Sequence, residues 1–281
     1  MRDPFLIEGP ACISFSGGRT SGYMLWRILQ AHQWVLPDDV KVIFANTGKE
    51  MPETLDFVRD CSVHWNVPIV WVEYEPRKVE SARWRVVDYD SAARGGEPYS
   101  GLIHNKGYLP NPVTRFCTIE LKIRPIKRYC QALGWTHFTM LLGLRADEQR
   151  RVAKLAVPVK EVFDRAAPLA ESGIVVSDIG NFWTAQPFDL RLPNMNGKTM
   201  HGNCDLCFLK GANQILALVR ENPERAKWWV SMEALALASK PSGAVFRSDR
   251  PSYASMHRMA TQHGELFPFG DEPLQDCMCT D

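Results

Sequence analysis

Short apolar runs alternate with helical patterns along the first half of the chain. The runs at 11–15, 40–45, 68–73 and 138–143 have the length and composition of buried strands. Between them, apolar residues recur at helical spacing over 20–30, after Pro52 and over 121–133. Strands and helices that alternate in this way form parallel sheets covered by helices, so the pattern predicts an α/β fold with helices on both faces of the sheet.

Two segments break this regularity. Residues 76–112 accumulate Gly, Pro, Asn and Arg, and residues 158–200 are rich in Pro, so both are predicted as irregular, with one helix that starts near Ser177. Further helices are predicted over 212–220 and 223–239, followed by a loop-like tail from Pro241. We therefore expect an α/β domain over 1–210 and a small region of helices and tail over 211–281.

Composition excludes several classes of protein. Among 281 residues, 45% are hydrophobic and 23% are charged, as in an ordinary globular protein. Lys and Arg number 33 against 32 Asp and Glu, so no overall field attracts nucleic acid or an anionic membrane. We find neither the apolar stretch of a signal peptide at the N-terminus nor an apolar run long enough to span a membrane. The expectation is a cytoplasmic protein, with no prediction of its oligomeric state.

The segment 14–21, SFSGGRTS, lies where the first predicted strand meets the first predicted helix. Glycines allow the backbone to approach an anion there, and the N-terminus of the helix adds partial positive charge. The segment lacks both the Lys-Ser/Thr ending of a Walker motif and the GxGxxG spacing of a dinucleotide site. It therefore predicts a phosphate-binding loop of another kind, with a plain strand-to-helix turn as the alternative.

Four ordered segments resemble known proteins. The sequence SGGRTS at 16–21 resembles the loop of PP-loop ATP pyrophosphatases. The segments NTGKEMPET at 46–54, RFCTIELK at 115–122 and GLRADEQRR at 143–151 resemble one branch of that superfamily, the phosphoadenosine phosphosulfate reductase family. The resemblance extends over roughly residues 11 to 210 and implies a Rossmann-like PP-loop fold.

The resemblance implies an adenine nucleotide, either ATP or an adenylyl sulfate, whose phosphates lie on the turn at Gly17 and Gly18. The side chains expected around it belong to Ser14, Ser16, Arg19, Thr20, Ser21, Asn46, Thr47 and Arg145. Arg145 offers a fork for phosphate or sulfate, with a surface ion pair to Asp147 or Glu148 as the alternative. Lys122 is a candidate catalytic residue together with Arg145, and Mg²⁺ is expected where pyrophosphate leaves.

Eight cysteines without an export signal favour thiols or metal ligands over disulfides. Members of the resembled family that carry an iron–sulfur cluster hold it by a CC pair and a CxxC. Here Cys204 and Cys207 form the CxxC and Cys117 is the second residue of the pair, but Phe116 replaces the first. The implied [4Fe-4S] cluster therefore has Cys117, Cys204, Cys207 and, as fourth ligand, Cys279.

Other ligand sets remain open at this point. The fourth position could belong instead to Cys277, to Cys130 or to an exogenous ligand such as sulfide, and zinc could bind Cys117, Cys204, Cys207 and His201. Cys12 and Cys61 lie in apolar patterns and are expected to be packed in the core.

The resemblance is compatible with three functions, of which two are enzymatic reactions and one is binding without catalysis. In a reductase, Cys277 would be the nucleophile that attacks an adenylyl sulfate, with a thioredoxin-like protein as reductant, although the family's ECGxH signature is missing around it. In a sulfur transferase, ATP would adenylate an acceptor and sulfur from a donor would displace AMP. The third alternative is a sensor that binds the nucleotide or cluster without turnover.

Arg and aromatic residues outside these motifs suggest a nucleic-acid contact as a further alternative. They are Arg83, Trp84, Arg85, His104, Lys106, Tyr108, Trp228 and Trp229. The competing interpretation is helix packing beside a solvated charged edge, and it is the stronger one for the two adjacent tryptophans.

Overall fold

The computed structural model describes residues 3–77, 79–157, 160–195, 198–202, 204–239 and 244–262. Within them, six strands form one sheet in the order β4-β3-β2-β1-β5-β6. The strands are β1 (Ala11–Ser14), β2 (Val40–Asn46), β3 (Ile69–Glu73), β4 (Arg85–Val87), β5 (Phe138–Leu142) and β6 (Phe163–Ala166). All neighbours pair in parallel except β3 and β4, which are antiparallel. The predicted α/β class is confirmed.

The central strand fixes where a ligand can bind. In the register of the sheet, Ser14 at the end of β1 pairs with Ile43 of β2 on one side and Leu142 of β5 on the other. The chain order therefore runs outward in opposite directions from β1. Ligands of open α/β sheets bind in the crevice at the carboxyl ends of the strands where the order reverses, and the residues after Ser14 enter this crevice.

Helices cover both faces of the sheet. They are α1 (Arg19–Ala31), α2 (Pro52–His64), α3 (Glu97–Lys106), α4 (Phe116–Thr118), α5 (Arg124–Ala132), α6 (Gln149–Ala153), α7 (Pro168–Glu171), α8 (Val176–Thr184), α9 (Ala212–Glu221), α10 (Glu224–Ser239) and α11 (Tyr253–Gln262). A π-helical turn, Ile119–Ile123, joins α4 to α5, and a hairpin of β7 (Asn194–Met195) and β8 (Lys198–Thr199) precedes the CxxC.

The structure corrects three segments that were predicted as irregular. Residues 76–112 contain β4 and α3, residues 158–200 contain β6, α7, α8 and the hairpin, and the region after Pro241 contains α11. The expected helix start near Ser177 is confirmed, since α8 begins one residue earlier.

Two apolar clusters lie on opposite faces of the sheet. On one face, Ile13 and Phe44 pack with Met24 of α1 and Trp183 of α8. On the other face, Cys12 and Phe163 belong to a cluster that includes Ile126 of α5. Burial of apolar surface on both sides explains why the strands are almost continuously hydrophobic.

A third cluster joins the C-terminal helices to the rest of the chain. It contains Tyr99 of α3, Phe116 of α4 and Cys207 together with Trp229 of α10 and Tyr253 of α11. Residues from both sides of the predicted boundary at 210 contribute to it, and the division into 1–210 and 211–281 stays a prediction. In the part of the chain that the structure describes, no helix has both the length and the apolar character required to cross a bilayer.

Candidate functional site

The glycine turn lies between β1 and α1, in the crevice of the sheet. Gly17 has a φ of +77°, and a Cβ on it would lie 2.6 Å from Cγ2 of Thr54, so glycine is required on both counts. The Ser21 hydroxyl accepts from the Ser16 backbone N–H at 3.2 Å and donates to the Gly18 carbonyl at 2.9 Å. Since the first N–H groups of a helix have no partner within it, the turn offers donors to an anion.

Arg145 reaches this turn from the end of β5. Its Nη1 donates to Oγ1 of Thr20 at 3.1 Å, which brings together two motifs 125 residues apart. The guanidinium also binds Asp147 through Nε at 3.0 Å and lies 3.6 Å from Glu148. The structure thus shows both the expected approach to the loop and the ion pairs that were its alternative.

The side chain of Arg19 donates hydrogen bonds to other groups of the protein. Its side chain is buried, and the guanidinium donates to both Asp189 oxygens at 2.8 and 2.7 Å, to the Leu192 carbonyl at 2.9 Å and to the Leu190 carbonyl. Nη1 donates to Oγ1 of Thr199 in β8 at 3.0 Å, so each guanidinium nitrogen bonds within the protein, and the side chain anchors both the β7–β8 hairpin and the segment that precedes it.

Asn46 also bonds within the protein. Its Nδ2 donates to Oε1 of Glu73 at 2.6 Å and to the Ala93 carbonyl at 2.8 Å, while its Oδ1 accepts from the Gly48 N–H at 3.0 Å. The side chain is fully buried. These bonds hold the turn that follows β2, so both polar atoms of the Asn46 side chain bond within the protein and shape the site.

The cysteines of the two separated motifs line one cavity, which we call the thiol cavity. Its walls are formed by Thr47, Tyr99, Arg115, Cys117, Thr118, Leu121, Lys122, Cys204, Cys207, Phe208, Leu209 and Trp229. The turn after β2 supports it, because Glu50 and Cys204 form an isolated antiparallel bridge and Thr47 Oγ1 lies 3.5 Å from Cys204 Sγ. The predicted convergence of Cys117 with the CxxC is therefore present in the structure.

Burial and charge both act on the thiol cavity. Burial, and then the negative charge of Glu50, raise the pKa of the Cys204 thiol well above its usual value, while Lys122 opposes the shift. Oε1 of Glu50 is buried without a hydrogen-bond partner among the described residues, and Nζ of Lys122 lies 3.8 Å from it. Because metal binding requires thiolates, a bound cation would offset the cost that burial imposes on them.

Asp205 fixes the CxxC turn from inside. Its carboxylate lies 3.1 Å from Nζ of Lys49 and accepts from Nε1 of Trp229 at 2.9 Å and from the Leu206 N–H at 2.7 Å. Both charged side chains are almost fully buried. A buried, satisfied ion pair at this position sets the orientation of the thiols on either side of it.

The remaining candidate ligands lie elsewhere or outside the described residues. Cys12, Cys61 and Cys130 are buried in the two clusters on the faces of the sheet, as expected for the first two. Nδ1 of His201 lies 3.4 Å from Nε2 of Gln214, and His201 does not line the thiol cavity as described. Cys277 and Cys279 fall outside the described ranges, so their predicted roles as nucleophile and fourth ligand stay predictions.

The donor set partly fits an iron–sulfur cluster. Three thiols share one cavity, in which the Tyr99 hydroxyl has no hydrogen-bond partner among the residues that the structure describes. In the described ranges, however, no group of three or more His, Cys, Asp or Glu side chains stands in ready-made metal-binding geometry. The three thiols fit corners of a cluster by their chemistry and by their shared cavity, and the predicted fourth ligand lies outside the described residues.

A larger cavity, which we call the wide cavity, adjoins the thiol cavity. It has a volume of about 300 Å³ and extends from Ser14 at the end of β1 to Phe163 and Arg165 of β6. Its walls combine apolar side chains with the basic side chains of Lys122, Arg151, Lys154 and Arg165 and one acidic side chain, Glu161. Thr118 and Lys122, within one helical turn or so after Cys117, line both cavities.

Sequence reasoning missed three residues of this site. Tyr99 lay in a segment predicted as a loop, whereas Glu50 and Asp205 lay inside motifs but carried no pattern that revealed their partners. Burial of Asp205 could have been inferred only from its place between two cysteines.

The groups considered for nucleic-acid binding are largely engaged within the protein. Trp229 is fully buried, and Trp228 donates from Nε1 to Oγ of Ser100 at 2.8 Å. Arg85 binds Glu73 through Nη2 at 2.7 Å. The packing interpretation of the tryptophans is supported, and a nucleic-acid partner stays an untested alternative.

Comparisons with known proteins place the chain in a family and identify relatives. Residues 10–170 match the model of the phosphoadenosine phosphosulfate reductase domain. An uncharacterized nin-region protein of Escherichia phage lambda is 32% identical over 209 residues, which are 72% of this chain and 67% of the relative. An uncharacterized protein of Methanocaldococcus jannaschii is 26% identical over 142 residues, 50% of this chain and 24% of that protein.

Among solved structures, the phosphoadenylyl-sulfate reductase of Candida auris in its phosphate complex has a TM-score of 0.39 and 16% identity, covering 65% of this chain and 79% of that one. The family match is the informative comparison, since residues 10–170 exceed half of the 281 residues and include the segments 16–21, 46–54, 115–122 and 143–151. The chain belongs to the phosphoadenosine phosphosulfate reductase domain family.

Proposed function

We propose that the protein is an adenine-nucleotide-dependent enzyme of sulfur metabolism, in which an adenylyl sulfate binds beside a [4Fe-4S] cluster. One observation carries the proposal: Thr118 and Lys122 line both the thiol cavity and the wide cavity. A group held by the thiols and a nucleotide in the wide cavity would therefore meet across a single helical turn. Family membership supports the substrate class.

The nucleotide would extend from the glycine turn into the wide cavity. Its phosphate would accept from N–H groups at the N-terminus of α1, with Arg145 beside the turn as a further donor. The apolar walls of the wide cavity, formed in part by Ile126, Met140 and Phe163, suit a purine ring. The basic side chains that line the same cavity would neutralise the sulfate or phosphate.

The cluster would be held by Cys117, Cys204 and Cys207, with Cys279 as the predicted fourth ligand. When bound, such a cluster would supply iron centres and one-electron redox chemistry near the substrate. Lys122 would stabilise the substrate where the two cavities meet. Its ammonium lies near Glu50 and its side chain lines both cavities, so it can pair with the sulfate. Cys277 stays the predicted nucleophile.

Product analysis tests the proposal. Protein purified without oxygen is incubated with adenylyl sulfate, or its 3′-phosphorylated form, and reduced thioredoxin, and sulfite and the adenine nucleotide product are measured. We expect sulfite in wild type and a loss of at least a hundredfold in Lys122→Met, about 3 kcal/mol of transition-state stabilisation. Lys227→Met is the matched control, because Lys227 is exposed and pairs with Glu224 on α10.

ATP-dependent sulfur transfer is the second candidate, and the position of Phe116 favours it. Phe116 stands where cluster-bearing relatives have cysteine, and it is buried against Tyr108 with ring centroids 5.0 Å apart. An iron without a cysteine at that corner could accept a sulfur ligand. Release of pyrophosphate from ATP with no sulfite from adenylyl sulfate would select this candidate, and nucleotide binding without either product would select a sensor.

A further inference from the structure

The hydroxyl of Tyr99 is buried in the wall of the thiol cavity. Tyr99 is 1% exposed, and its oxygen has no hydrogen-bond partner among the described residues. The surrounding polar groups are thiols: burial raises the pKa of Tyr99, and so do the charges of Cys117, Cys204 and Cys207 and the approach of the Cys117 thiol to the hydroxyl, a contact that falls short of hydrogen-bond geometry. A phenol hydroxyl is a hydrogen-bond donor, and this one lies in the wall that the three cysteines share.

The ring of Tyr99 is held in place. Its centroid lies 5.1 Å from that of Trp228 and 6.0 Å from that of Trp229. Trp228 is itself tied to α3 by its bond to Ser100. The hydroxyl therefore cannot turn towards water without breaking the packing between α3 and α10.

Other buried tyrosines in the same apolar cluster have partners. The Tyr74 hydroxyl accepts from Nδ2 of Asn105 at 3.0 Å, and the Tyr253 hydroxyl donates to the Leu206 carbonyl. A buried hydroxyl without a partner costs free energy, and native proteins satisfy nearly all such groups. The contrast indicates that the partner of Tyr99 is a group bound in the thiol cavity.

We propose that the Tyr99 hydroxyl donates a hydrogen bond to a sulfur atom of the group that Cys117, Cys204 and Cys207 hold. This inference rests on the proposed function, because it takes that group to be an iron–sulfur cluster. Tyr99 is then a positioning residue that acts on the cluster rather than on the substrate. Hydrogen bonds to cluster sulfurs favour the reduced, more negative state, so Tyr99 raises the reduction potential.

The test compares Tyr99→Phe with Tyr74→Phe in the full chain. Each variant and the wild type are reconstituted without oxygen using ferrous iron and sulfide, and the potential is measured by redox titration with EPR detection. In Tyr99→Phe we expect the ratio of reduced to oxidised cluster at a fixed potential to fall about tenfold, which is about 59 mV for a one-electron couple. Tyr74→Phe should leave the potential unchanged.

A second readout does not need the cluster. In the metal-free chain, removal of an unpartnered hydroxyl should leave the urea midpoint of Tyr99→Phe equal to or above that of wild type. Tyr74→Phe should lower it, because that substitution deletes a hydrogen bond. With the cluster bound, Tyr99→Phe should lose stability relative to wild type.

The outcomes separate the inference from the function on which it rests. Wild-type protein that takes up no iron refutes the proposed cluster and the inference together. A cluster whose potential is the same in wild type and Tyr99→Phe refutes the inference alone, as does a metal-free Tyr99→Phe chain destabilised as much as Tyr74→Phe. A folded Tyr99→Phe chain with a lowered potential, or with weakened cluster retention, supports it.

Discussion

Removing the carboxylate of Asp205 should destabilise the CxxC turn strongly, because this carboxylate is buried and holds the turn. Asp205→Ala deletes a pair with Lys49 at 3.1 Å and the acceptor of hydrogen bonds from Trp229 and Leu206. The side chains of the pair are 9% and 10% exposed, so Lys49 would keep a buried charge without its partner. Both thiols of the CxxC would lose their support at the same time.

The magnitude follows from burial. Breaking a buried ion pair by removing one partner costs about 3–5 kcal/mol, and the lost hydrogen bonds are part of that cost. Against a total stability of about 5–15 kcal/mol, Asp205→Ala would leave a marginal protein. Asp164→Ala is the matched control, because Asp164 is 79% exposed beside His137 and surface pairs contribute only about 0–1 kcal/mol.

Urea unfolding at low temperature, followed by tryptophan fluorescence, measures the difference. We expect Asp205→Ala to lose about 4 kcal/mol and Asp164→Ala less than about 1 kcal/mol. Adding Lys49→Met to Asp205→Ala should restore part of the loss, since it removes the uncompensated charge. Equal losses in the two aspartate variants, or strict additivity of Lys49→Met and Asp205→Ala, would refute the reasoning.

Three further substitutions test the nucleotide side and the C-terminal helices. Gly17→Ala should abolish binding of adenylyl sulfate in calorimetric titration, because its Cβ would meet a side chain at 2.6 Å; Gly134→Ala, with a φ of +87° and no atom within 4 Å, should cost only about 1 kcal/mol and leave binding intact. Arg19→Ala should cost about 3 kcal/mol and expose the segment around Asp189 to limited proteolysis, and unchanged cleavage would count against that anchor. Burial raises the pKa of Glu233 in the folded protein above its value in the unfolded chain. The contribution of Glu233 to the free energy of unfolding is therefore complete below the unfolded pKa and is lost as the pH rises through the folded pKa. Glu233→Gln should flatten this decline in urea unfolding, and a pH profile identical to that of wild type would contradict the assignment.

The strands β1, β2, β3 and β5 could be predicted because each is an apolar run buried on both faces. The edge strands carry no such signal. In β4, Arg85 and Val86 are exposed, and in β6 only Phe163 is buried. Their pairing depends on contacts across the sheet, such as the bond of Arg85 to Glu73, which a local pattern does not contain.

The helix α3 shows a different limit. The segment contains Gly, Pro and Asn, which favoured a loop, yet all of them but Gly101 lie at or near the ends of the helix. Gly96 precedes the helix with a φ of +89°, Pro98 lies in the first turn and Gly107 ends it in the left-handed region. Interpreting these residues as helix boundaries would have placed Tyr99 on a helix.

For the site, sequence motifs indicated which segments converge but not the partner of each side chain. The approach of Arg145 to the glycine turn follows from strand order in a parallel sheet, whereas the approach of Cys117 to the CxxC was implied by the family resemblance. The hydrogen bonds of Arg19 to Asp189 and of Asn46 to Glu73 join side chains that are far apart in the sequence. Such pairings appear only in three dimensions.

The most direct test of the account is the alkylation of individual cysteines by iodoacetamide, read by mass spectrometry, before and after anaerobic reconstitution with iron and sulfide. The account predicts that reconstitution protects Cys117, Cys204 and Cys207 together, and that adenylyl sulfate then changes the EPR spectrum of the bound iron. Protein that binds iron while these three cysteines stay as reactive as before would contradict it.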